Sequence, residues 1–75
     1  MKIYNKFLKQ DIDIEEILKN NSIKISLHKI KESYNSPGRE YHNFNHIIKM
    51  IENIVFYSEE LVIAIVFHDI VYNYD

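Results

Sequence analysis

Ser58-Glu59-Glu60-Leu61-Val62-Ile63-Ala64-Ile65-Val66-Phe67-His68-Asp69 is the stretch on which the fold turns. Leu61 to Phe67 is apolar all round, which calls for a central element buried on every side. The β-branched residues permit a strand as well as a helix, and periodicity does not separate the two. Length favours a helix, because the segment from Glu59 to Tyr72 is long for a strand. Ser58 suits an N-cap, and Glu59 and Glu60 fall where the positive end of a helix dipole welcomes them.

The segments before it read the same way. Ile47, Ile48, Ile51, Ile54 and Val55 recur at helical spacing on one face, with His46 on its flank and Asn43 or Asn45 as a cap. Ile23, Leu27, Ile30 and Tyr34 form another stripe, which Asn35-Ser36-Pro37-Gly38 should end. Asp11 or Asp13 can cap a helix through Ile14, Ile17 and Leu18, with Asn20-Asn21-Ser22 as the break after it. Residues 1 to 11 are weakly patterned, and Ile3, Phe7 and Leu8 fit a short helical stripe. One Gly and one Pro in the chain leave few tight turns, which disfavours a hairpin-rich fold. The expectation is an all-α domain of about four helices spanning residues 1 to 75.

Composition narrows the function. The 75 residues suffice for one small domain, and hydrophobic residues at 47% favour a packed core over disorder. A core of this size is usually marginal without a staple, and the lack of cysteine rules out disulfides and thiolate metal sites. A net charge of −2 offers no basic stripe for nucleic acid. The N-terminus lacks the apolar run of a signal peptide, and no apolar run is long enough to cross a bilayer. A soluble cytoplasmic protein is the expectation.

His68-Asp69 ends the most apolar segment, and a carboxylate there is costly unless paired or bound to a metal. On a helix the two side chains diverge by about 100°, yet both can reach one ion placed between them. The alternative is a solvated Asp69 and a satisfied core histidine. His42 and His46, spaced i and i+4, could share a helix face. Asn43 stands where the zinc-protease pattern needs Glu, so that chemistry is excluded. The alternative for these two is a capping segment bonded to backbone carbonyls. Antiparallel packing of the last two helices would bring His46, near the start of one, beside His68 and Asp69 at the end of the other. That convergence favours a metal site.

Arg39-x-Tyr41-His42-Asn43-x-x-His46-Ile47 followed by Ala64-x-x-Phe67-His68-Asp69-x-x-Tyr72 resembles the opening of metal-dependent HD-domain phosphohydrolases. The resemblance covers about half the chain and implies an all-helical fold. It also implies that His46, His68 and Asp69 bind a divalent metal (Mn, Fe, Zn, Mg or similar) that activates water against a phosphoester, nucleotides included. His42 and Arg39 would then be secondary ligands or substrate contacts; for Arg39 an ion pair with Glu40 or Glu32 is the alternative. HD domains take a further Asp from a later helix, and Asp75 does not match it. The expectation is a partial domain, inactive by itself. The rival expectation is a non-catalytic helical module whose uncovered apolar surface binds a partner or a second copy.

Overall fold

The computed structural model describes residues 1–35 and 43–68. Strand β1 (Lys2–Asn5) and strand β2 (Gln10–Asp13) form an antiparallel hairpin. Four helices follow among the described residues: α1 (Ile14–Asn20), α2 (Leu27–Tyr34), α3 (Phe44–Glu52) and α4 (Glu59–Phe67). The architecture is α+β, which corrects the all-α expectation.

The hairpin escapes sequence reading for a physical reason. Each strand is four residues long, and the only apolar residue each buries is Ile3 in β1 and Ile12 in β2, which face each other in register. Alternation over so few residues is a faint signal. The turn, residues 6–9, carries no Gly or Asn-Gly pair, and Lys9 takes a positive φ of 55°. The Asn5 side chain supports that turn: Oδ1 accepts from Phe7 N at 2.8 Å and Leu8 N at 2.9 Å. A lone hairpin is marginal in water, and this one is held by packing β1 against α3.

Each of these four helices carries a side-chain N-cap, satisfying backbone donors that the helix itself leaves orphaned. Asp13 accepts from Glu16 N, Ser26 from Lys29 N, Asn43 from His46 N and Ser58 from Leu61 N. Ser26 starts α2 later than the Ile23 stripe suggested, so Ile23 lies in the α1–α2 connection. There its N–H donates to Leu18 O at 2.9 Å while Ser22 N donates to Lys19 O at 3.1 Å. These two bonds form a Schellman motif, with Ser22 at the left-handed position (φ 58°) that usually belongs to glycine. Ser22→Gly is therefore expected to stabilise the fold by about 0.5–1 kcal/mol, less what glycine gains in unfolded freedom. Thermal unfolding followed by circular dichroism checks it; a lower midpoint would contradict the assignment.

One apolar cluster unites the elements: Ile3 and Ile12 from the hairpin, Ile14, Ile17 and Leu18 from α1, Leu27, Ile30 and Tyr34 from α2, Phe44, Ile47 and Ile51 from α3, and Val62, Ile65 and Val66 from α4. Helix α4 is less enclosed than its composition suggested. Val62, Ile65 and Val66 are buried, Leu61, Ile63 and Phe67 are half-buried, and Ala64 is exposed. Helix α3 stops at Glu52, so Ile54 is half-buried in the following loop and Val55 is exposed rather than on the helix face. No helix among the described residues is long and apolar enough to cross a membrane.

Candidate metal centre

The connection between α3 and α4, residues 53–58, is short, so the two helices pack side by side in opposite directions. This sets the first turn of α3 beside the last turn of α4. His46 is the third residue of α3, its backbone N–H held by the Asn43 cap. His68 is the C-cap of α4, still in helical conformation at φ −64° and ψ −29°. Both side chains are solvent-accessible. Their ring centroids lie 6.2 Å apart, with the planes tilted by 52°.

Two imidazoles sharing one tetrahedral ion, with bonds of about 2.0–2.1 Å, hold their centroids about 5 Å apart. The observed separation is about 1 Å greater, a gap that small side-chain rotations can close. One further contact bears on the chemistry. His68 Nδ1 lies 2.6 Å from Ile65 O, and a carbonyl can only accept, so Nδ1 carries the proton in this bond. In the neutral ring Nε2 then holds the lone pair. A backbone carbonyl orienting a histidine in this way is the usual support for a metal-ligating imidazole.

The remaining candidates divide cleanly. Arg39, His42 and Asp69 lie outside the described residues. Among the described residues no group of three or more His, Asp or Glu side chains could hold a metal ion, so His46 and His68 are the part of the expected ligand set that the geometry brings together. His28, to which the sequence assigns no role, is exposed on α2 and lies 2.8 Å from Glu32 one turn later. Tyr34 and Phe44 belong to the core and meet edge to face at 6.1 Å between centroids.

A second polar feature, at the opposite end of α4, has no signature in the sequence. Gln10, Asp11 and Asp13 from the hairpin, Glu16 from α1, and Tyr57 and Glu59 line one open cleft. They lie more than 40 residues apart in the chain at the extremes, and no local spacing links them. Partial burial, then the charge and hydrogen bond of the Glu59 carboxylate, then the charge of Glu16, raise the Tyr57 phenol above its ordinary value of 10.0. The folded state therefore holds this proton more tightly than the unfolded chain, and the associated stability is lost as pH rises past that ordinary value. Tyr57→Phe is expected to soften alkaline destabilisation; identical losses in both proteins would contradict the coupling.

Comparison with protein-family models, with curated protein sequences and with solved structures found no significant match to this chain.

Proposed function

We propose that this chain carries the metal-binding part of an HD-type phosphohydrolase domain, with His46, His68 and Asp69 as ligands of a divalent cation. The observation that supports the reading is the approach of His46 and His68 to 6.2 Å across two antiparallel helices, from positions 22 residues apart in sequence. The His68 Nδ1–Ile65 O bond orients that ring from the backbone. Imidazoles with a carboxylate suit Zn, Mn or Fe, and such an ion would supply Lewis-acid activation toward a phosphoester. The chain's own contribution is orientation: α3 and α4 pack into the core, α3 presenting His46 from its Asn43-capped first turn and α4 presenting His68 at its C-terminal end. His42 and Arg39 remain candidates for contacts to the phosphoester.

Calorimetric titration of Zn²⁺ and Mn²⁺ into the folded chain tests this. Saturable binding at about one ion per chain is expected for a three-ligand site. A folded chain that takes up neither ion would refute it.

A specific observation favours a second reading, a non-catalytic interaction module. Val55, Phe56 and Tyr57 form an exposed apolar loop, and Phe7 is exposed on the neighbouring hairpin turn. Asn5 ties that turn to the loop through its bond to Ile54 O. Exposed apolar clusters of this kind mark association surfaces. Sedimentation should then show dimers or larger species that a Phe56→Ser substitution disperses; a monomer at high concentration would remove this reading.

A further inference from the structure

We infer that Tyr34 is the positioning residue of the His46–His68 pair; the inference rests on the metal-centre reading for its purpose, though not for its geometry. Tyr34 is fully buried in the last turn of α2. Its hydroxyl donates to Val66 O at 2.5 Å, in the last turn of α4. Its ring meets the ring of Phe44, the first residue of α3, edge to face. Val66 lies two residues before His68, and Phe44 lies two residues before His46. One side chain thus grips both helices, each at the turn that carries an imidazole. Lys31, one turn earlier on α2, places its ammonium 5.6 Å from the centre of the Phe44 ring and helps fix it.

The physical consequence concerns separation rather than mere stability. Helices α3 and α4 also meet through aliphatic residues of the core. Aliphatic packing is non-directional and permits small slides along the helix axes. A hydrogen bond to one carbonyl combined with an edge-to-face ring contact is directional at both ends. It sets the axial offset of the α4 end against the α3 start, and that offset determines whether the two rings can share one ion.

Tyr34→Phe keeps the ring and removes only the hydroxyl, and Phe44→Leu loosens the other grip. Two readouts apply. The first is the intensity of nuclear Overhauser signals between the ring protons of His46 and His68, measured without metal. The second is Co²⁺ affinity from the absorption of the bound ion. Both variants should weaken the ring-to-ring signals and lower Co²⁺ affinity about 10-fold, the usual cost of removing outer support. An Ile3→Val control, which trims the core from the hairpin side, should lower the melting point and leave both readouts unchanged. Unaltered ring-to-ring signals in folded Tyr34→Phe and Phe44→Leu proteins would overturn the positioning role. Signals that vanish in the variants, with no Co²⁺ uptake by the wild-type chain, would uphold the positioning role and reject the metal centre. An equal weakening in Ile3→Val would make Tyr34 an ordinary core residue and overturn the inference.

Discussion

Asn5→Ala is expected to lower the stability of this chain by about 3 kcal/mol, the largest loss from any single polar side chain among the described residues. Asn5 is completely buried. Its amide donates to Ile51 O and Ile54 O, each at 2.8 Å, and its carbonyl accepts from Phe7 N and Leu8 N. Two donors and two acceptor positions are all in use, which is the full capacity of the side chain. Truncation leaves one carbonyl in the last turn of α3, one in the loop after it, and two amides in the hairpin turn without their partner. A buried polar group left unmade costs about 1–3 kcal/mol, and water reaching the partly buried ones tempers the sum. Folded domains hold only about 0.05–0.15 kcal/mol per residue, so a loss of this size takes a large part of the total. The midpoint of thermal unfolding should fall by about 15 °C.

Asn5→Asp sharpens the test because it preserves shape. A carboxylate cannot donate to Ile51 O or Ile54 O, and its charge faces two carbonyl dipoles in a buried site. Burial, the two facing carbonyls and the donor that protonation restores outweigh the Phe7 and Leu8 N–H groups, so the introduced carboxyl is held above the ordinary carboxylate range in the folded state. Its protonated form is favoured by folding, so stability is present at acid pH and lost as pH rises through the carboxyl titration. This variant should gain stability on acidification relative to wild type. Melting curves that move in parallel would show that Asn5 is not the bridge between hairpin and helix.

The second large effect concerns the metal. A ligand present at 100 times its dissociation constant adds about 2.7 kcal/mol to folding stability. In a chain of this size that raises the melting midpoint by about 10 °C or more. His46→Ala and His68→Ala should each abolish the rise seen with Zn²⁺. Each variant's rise is read against its own metal-free melting point. Asp69→Ala should behave the same way. His28→Ala is the control, since His28 has its own partner in Glu32 on the exposed face of α2. A Zn²⁺ shift that survives removal of His68 would place the ion elsewhere.

The features legible in the sequence share a physical basis in local spacing. Asp13, Asn43 and Ser58 each reach the backbone three residues ahead; order alone picks out Ser58 and narrows the other two to Asp11 or Asp13 and Asn43 or Asn45, between which the structure decides. The proximity of His46 and His68 follows from a six-residue connection that forces α3 and α4 antiparallel. The hairpin is hidden because Ile3 and Ile12 are single inward residues on strands too short to show a period. The role of Asn5 is hidden because its partners lie 46 and 49 residues away, and an asparagine before a turn gives no sign of burial. Ser26 is obscured as a cap because Ile23 continues the apolar stripe backward beyond the true start of α2. Ala64 is exposed even though the run around it is apolar, because only one face of α4 meets the hairpin-and-helix core.

X-ray absorption at the zinc edge, on the chain loaded with one equivalent of Zn²⁺, tests the central claim most directly. The expected shell contains at least two imidazole nitrogens at about 2.0–2.1 Å, with the outer-ring scattering that distinguishes imidazole from water, and that signal should be lost in His68→Ala. A shell of oxygen donors alone would contradict a metal centre built on His46 and His68.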